Sequence, residues 1–247
     1  MTHDPNRQRL ISVAERLGEL LLKVAFVGGS VTGLLVANVD IRPTADVDLI
    51  VPGESPTDYE IDVAQPLRAL GWSEDMTDNA PRCRWVHPRA GLADVMTPVD
   101  AGFGFSNRWY PGALATATPF ELKPGLSIRV LTVPYFLATK TEAFLGRGDG
   151  DFEASQDIED IVTVVSATAD VIEQVADADV ALRQFLSETL ATWAQSNGQL
   201  PMPPGSRLGA PGPLVRHTLG HLQDVDGRRE LATVVLNRFR GMALEEA

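Results

Sequence analysis

Two stretches decide the fold: Val24-Ala25-Phe26-Val27-Gly28-Gly29-Ser30-Val31 and, separated from Ser30 by 15 residues, Asp46-Val47-Asp48-Leu49-Ile50-Val51. Residues 24–27 form an apolar run of strand length that Gly28-Gly29 stops, and residues 31–39 have the length and apolarity of a buried helix. Residues 45–51 alternate at period two until Pro52, which predicts a strand with Asp46 and Asp48 on one face. Carboxylates at i and i+2 of a strand lie roughly 6 to 7 Å apart. At an effective dielectric of about 20 they repel by about 2.5 kcal/mol. Two readings meet that cost: an edge strand whose acids face water, or a pair neutralised by a divalent cation, where carboxylate oxygens suit Mg²⁺ or Mn²⁺ far better than zinc. The glycine turn favours the second. A strand ending in Gly28-Gly29-Ser30 ahead of a helix offers backbone N–H groups, a hydroxyl and a helix N-terminus to a phosphate, and glycine permits its close approach.

Upstream, Leu10, Val13, Ala14, Leu17, Leu20 and Leu21 recur at helical spacing and predict an amphipathic helix over 9–22. Downstream, a helix is expected over 61–70, ending at Gly71. Residues 82–87 and 92–96 read as strands joined by a turn at 88–91, which puts Asp94 on a strand as a third carboxylate. Residues 101–125 mix glycine, proline and aromatics without a period, and 127–132 reads as one more strand. Pro134 suits the first turn of a helix running to Leu145; a loop over 146–151 and helices over 154–166, 179–195 and 213–239 follow, with a Pro/Gly-rich loop at 201–213. The expected fold class is therefore α/β (α+β): a mixed sheet flanked by helices over 1–133 and a helical region over 134–247.

A phosphate turn, an Asp pair and a third Asp are together the parts of two-metal phosphoryl or nucleotidyl transfer. In this order they resemble the DNA polymerase beta-like nucleotidyltransferases, whose pattern is a Gly-Ser turn, an Asp-x-Asp pair and a later Asp: here Gly29-Ser30, Asp46-Val47-Asp48 and Asp94. The surrounding Gly28-Gly29-Ser30 through Arg42-Pro43-Thr44-Ala45-Asp46-Val47-Asp48-Leu49 is similar to the GGS…RxTxDxDL stretch of this group. Lys140-Thr141-Glu142-Ala143-Phe144-Leu145-Gly146-Arg147, followed by Asp157-Ile158-Glu159-Asp160, is similar to the KxxAxxxR…DxxD signature of AbiEii-type nucleotidyltransferases, the toxin half of many prokaryotic toxin–antitoxin pairs. The nine residues between Arg147 and Asp157 exceed that family's usual spacing, and Gln156 stands where a basic residue is common.

The resemblance implies a nucleotidyltransferase fold over 1–133 and transfer of a nucleotidyl group from an NTP to an acceptor hydroxyl, with Mg²⁺ (or Mn²⁺) as cofactor. Asp46 and Asp48 would hold two metal ions, and Asp94 would ligate one of them and help deprotonate the attacking hydroxyl. The Gly29 amide and Ser30 would bind the β- and γ-phosphates, while Lys140, and with it Arg147, would neutralise charge as pyrophosphate leaves. It also implies a tRNA as acceptor and a cognate antitoxin as partner. The alternatives are a small-molecule (antibiotic) nucleotidyltransferase and a non-catalytic NTP-binding regulatory or toxin–antitoxin interaction module of the same fold.

Other residues carry two readings each. Lys140 and Arg147, seven apart on one helix, share a face that points either at a triphosphate or at Glu142, Asp157 or Asp160 across a helix hairpin. Asp157 and Asp160 also share a face, as a cap and ion pair or as catalytic groups. Arg82, Arg84, His87 and Arg89 are a basic cluster near Asp94, either contacting an acceptor phosphate or lining a solvated strand. His217 and His221 have the i, i+4 spacing of helical metal ligands but lack the glutamate of the zincin motif, so a surface pair is favoured. Trp109-Tyr110 reads as packing rather than a base-stacking platform.

At 247 residues the chain holds one large domain or two. Its 44% hydrophobic and 22% charged content excludes disordered, collagen-like and coiled-coil classes. Cys83 is the single cysteine, so neither an intrachain disulfide nor a thiolate zinc cluster forms, which fits a reducing cytoplasm. The uncharged run over 24–39 is short of the ~20 residues of a membrane span, and no signal peptide or anchor is expected. The net charge of −12 speaks against coating nucleic acid by bulk charge. Residues 141–180 account for −10 of it, leaving an RNA acceptor admissible on the side carrying Arg82, Arg84 and Arg89.

Overall fold

The computed structural model describes residues 4–37, 39, 41–100, 102–104, 106–146, 155–195 (190–195 by backbone alone) and Arg238. The chain divides into two units, Met1–Phe136 and Leu137–Ala247.

The first unit opens with α1 (Arg7–Ala14), which buries Leu10, Val13 and Ala14, and a 3₁₀ turn at Gly18–Leu22. The single helix expected over 9–22 is thus two pieces. Its apolar spacing is helical, but Gly18 takes φ +54°, a left-handed backbone that breaks the ladder. The wholly buried strand β1 (Ala25–Val27) runs into a 3₁₀ turn at Gly29–Val31 and α2 (Thr32–Leu35). The helix expected over 31–39 stops early because Val36 is extended; Gly33 and the β-branched Thr32 and Val36 propagate a helix poorly. Strand β2 (Asp46–Ile50) follows.

Ser55 caps the next helix, its hydroxyl accepting from the Asp58 N–H at 3.1 Å with Pro56 in the first turn. The helix therefore begins before the expected 61, as α3 (Pro56–Tyr59), a π-helical turn (Glu60–Ala64) and α4 (Gln65–Ala69). Strands β3 (Ser73–Glu74), β4 (Arg84–His87) and β5 (Gly91–Met96) come next, then α5 (Tyr110–Thr116), β6 (Thr118–Lys123) and β7 (Leu126–Val130).

All seven strands form one mixed sheet in the order β3-β4-β5-β2-β1-β7-β6. β2 runs parallel to β5 and β1 parallel to β7, while the other neighbours are antiparallel. Helix α1 packs on β2, β5, β6 and β7, and Phe26, Val47, Leu49, Trp85, Val95, Ile128 and Val130 are buried in the unit's core. The α/β class with a mixed, helix-flanked sheet is what this unit has.

The described residues of the second unit are mostly helical. Helix α6 (Val133–Gly146) leads into it, followed by α7 (Gln156–Ala167), α8 (Val171–Ala176) and α9 (Val180–Gln195). Ile158, Ile161, Val164, Val165, Val171, Val175, Leu182 and Leu186 are buried there. The Arg238 guanidinium donates to the carbonyls of Val165 and, at 2.7 Å, Ser166, satisfying acceptors that the last turn of α7 leaves open. Arg147, His217, His221, the loop at 201–213 and all of the helix expected over 213–239 except Arg238 lie outside the described residues. Among the described residues no helix is long and apolar enough to cross a membrane.

Candidate functional site

Strand register builds one row across the middle of the sheet. Val27 at the end of β1 pairs with Asp48 on β2, Asp48 with Asp94 on β5, and Asp94 with Arg84 on β4. Because side chains alternate along a strand and in-register partners share a face, Asp46, Asp48, Asp94 and Arg84 all stand on one side. The glycine turn closes the row beside Asp48. A β-carbon built on Gly28 would stand 1.8 Å from Asp48 Oδ2, so the carboxylate rests against backbone that only glycine leaves bare. Gly28 also has φ +69° and ψ −166°, a region essentially confined to glycine.

The approach to β2 is pinned from below. Fully buried Asn6 donates to the Arg42 carbonyl at 3.0 Å and accepts from the Thr44 N–H at 2.9 Å, while the Thr44 hydroxyl donates to the Asp46 carbonyl at 3.0 Å. The Arg9 guanidinium donates to the Thr44 carbonyl. The chain leading to Asp46 is thereby fixed to Asn6 and the first turn of α1.

Arg84 is the group the sequence reading misplaced. Neither facing an acceptor phosphate nor lining a solvated strand, it bridges two of the three carboxylates. Its Nη2 donates to Asp46 Oδ2 at 2.5 Å and Asp94 Oδ2 at 2.8 Å, and its Nε to Asp94 Oδ1 at 2.7 Å. The side chains of Arg84, Asp46 and Asp94 are 21%, 26% and 12% exposed. The hydrogen bonds to Asp94 raise the basicity of the guanidinium further, against the effect of burial. The carboxylate field reaches the residue just before β4: burial, then the charges of Asp94 and Asp48, push the Cys83 thiol up to about 12. Arg84 was legible in the hairpin. Pairing His87 with Gly91 and counting back brings Arg84 opposite Asp94.

The phosphate turn differs from expectation in two respects. Ser30 is fully buried, its hydroxyl donating to the Val27 carbonyl at 3.4 Å. The helix behind the turn has four residues, too few for a useful macrodipole, so anion contacts there fall on the turn's own amides.

As a test of metal fit, three carboxylates on adjacent strands are the hard-oxygen donor set that Mg²⁺ or Mn²⁺ takes. Together with Arg84 they leave a formal −2, which one divalent cation neutralises. Among the described residues no three His, Cys, Asp or Glu side chains already converge as a metal centre; Asp46 and Asp94 converge on Arg84 instead.

The second unit gathers Lys140, Asp157 and Asp160. Lys140 Nζ lies 3.1 Å from Asp157 Oδ1 and 2.7 Å from Asp160 Oδ2, with side chains 11%, 4% and 5% exposed. The ion-pair reading across the α6–α7 hairpin is what these contacts describe. Trp109 is buried, in keeping with packing. The chain matches no model of a known protein family, and comparison with curated proteins returns no match.

Proposed function

We propose that the first unit is the catalytic part of a metal-dependent nucleotidyltransferase of the polymerase beta-like fold. The observation that carries the reading is the row of Asp48, Asp94 and Arg84 across three adjacent strands, closed by Gly28 at the end of β1, with Asp46 on the same face. A bound Mg²⁺ would supply Lewis-acid stabilisation of the transferring phosphoryl group. Asp46 and Asp48 present carboxylate oxygens to the cation. Asp94 would hold it from the neighbouring strand and would accept the proton of the attacking acceptor hydroxyl. The Gly29 amide orients the β- and γ-phosphates, so that the acceptor O–P bond forms as the bond to pyrophosphate breaks. Ser30 joins them only if its hydroxyl turns away from Val27.

Titration calorimetry with NTP and Mg²⁺, together with an NTP-consumption assay, tests this. Asp46→Ala/Asp48→Ala is expected to abolish NTP–Mg²⁺ binding and turnover; binding unchanged in that variant overturns the proposal. Labelled NTP in a lysate distinguishes the acceptors. Label in tRNA fits a toxin with a cognate antitoxin partner, and label in a small molecule fits an antibiotic-modifying enzyme. One observation favours a second reading, a nucleotide-binding regulatory or interaction module without turnover: Arg84 itself offsets the carboxylate repulsion, so retention of the three acids does not by itself require a metal. NTP binding without label transfer would select it.

A further inference from the structure

We propose that Arg84 is a resident counter-cation that competes with the divalent metal for Asp46 and Asp94, so that metal loading requires the guanidinium to let these carboxylates go. The inference rests on the nucleotidyltransferase reading of this site. Arg84 engages both oxygens of Asp94 and one of Asp46, and a single nitrogen, Nη2, serves both acids. These are the oxygens a hard cation would take at roughly 2.0–2.1 Å. A guanidinium that grips both Asp94 oxygens and one of Asp46 draws on the same negative charge and the same carboxylate orientations that a metal would use, and the two cations repel. Register makes the competition intrinsic to the fold: Arg84 and Asp94 are directly opposed on β4 and β5, so the guanidinium reaches the site without a long excursion. The three side chains are 12% to 26% exposed, so solvent screens the contact only in part. Arg84 does not lose its charge at any working pH, so it yields by moving and not by deprotonating.

The experiment measures Mn²⁺ binding to the full chain, without nucleotide, by the loss of the free-ion paramagnetic resonance signal. It compares the wild type, Arg84→Gln, Arg84→Lys and Asp46→Asn/Asp48→Asn. The direction separates competition from a structural role, because damage to the site weakens metal binding whereas removal of a competitor strengthens it. Arg84→Gln is expected to bind Mn²⁺ roughly 5- to 150-fold more tightly than wild type, the span of ordinary coupling free energies. Arg84→Lys, which keeps the charge but not the planar fork, is expected to fall between them. If Arg84→Gln does not fold, Arg84→Lys decides alone. Equal or weaker binding in the folded Arg84 variants, with wild-type binding abolished in the Asp pair variant, overturns the competition and leaves the metal site standing. Absence of binding in every protein, or binding indifferent to the Asp pair, overturns the competition and the metal reading together.

Discussion

Gly28 shows how one residue can govern a site without contributing a functional group. Its backbone lies where a side chain is strained, and the space a β-carbon would need is already held by the Asp48 carboxylate. Gly28→Ala is expected to lose about 1–3 kcal/mol from the backbone alone, and to displace Asp48, so both the denaturant midpoint and Mn²⁺ affinity should fall. A variant with both unchanged would show that the turn relaxes freely. His87 titrates against the fold. Burial first, then the Arg16 and Arg89 charges, hold its pKa below the ordinary 6.5, while its ring packs on Trp72 at 5.2 Å between centroids. The unfolded chain takes up the proton near 6.5 and the folded chain only at lower pH, so between those values unfolding binds protons. Stability falls as pH drops through that window and levels off once both states are protonated. Melting curves from pH 7.5 to 5 are expected to show a smaller decline in His87→Gln than in wild type; equal slopes would exclude His87 as a source.

At the scale of elements, the α6–α7 hairpin holds the Lys140 ammonium between two carboxylates. Lys140→Met removes the counter-charge shared by Asp157 and Asp160, both at least 95% buried, and is expected to cost about 3 kcal/mol. Urea denaturation measures it, and a midpoint unchanged from wild type would mean that Lys140 does not hold the hairpin. Elements were legible from sequence where the signal was local. The period-two run of β2, the β4–β5 hairpin and the helices expected over 134–145, 154–166 and 179–195 are present near their expected places. Three failures had local cues that apolar spacing outweighed: Gly18, which splits a helix, Thr32, Gly33 and Val36, which end one early, and Ser55-Pro56, which starts one earlier. The others had little cue. β3 has two residues, α5 has a proline and a glycine in its first turn, and β6 alternates around a bulge, so tertiary pairing defines them more than propensity does.

At the scale of the whole molecule, sequence pattern reached the class of fold but not the strand order. Asp46, Asp48 and Asp94 were recognisable as acids on strands. Their meeting in one row follows from β2 pairing on its second edge with β5 rather than with β3, the strand that follows it in sequence, which no periodicity records. The charge distribution was legible throughout: −10 of the net −12 falls in residues 141–180, leaving −2 over the rest of the chain. What changes is the basic side once open to an RNA acceptor. Arg84 is committed to carboxylates and Arg82 donates to the Gly102 carbonyl at 3.2 Å.

The position of β1 has a consequence for biosynthesis. Its partners are β2, made soon after it, and β7, whose Val130 pairs with Phe26 about a hundred residues later. As the chain leaves the ribosome, the row of Asp48, Asp94 and Arg84 can assemble while the other edge of β1, entirely apolar in its side chains, still lacks its parallel neighbour. Such an edge is a template for pairing with other chains. Synthesis must reach β7 before this sheet is protected, so the interval in which a nascent chain needs shielding is written into the strand order.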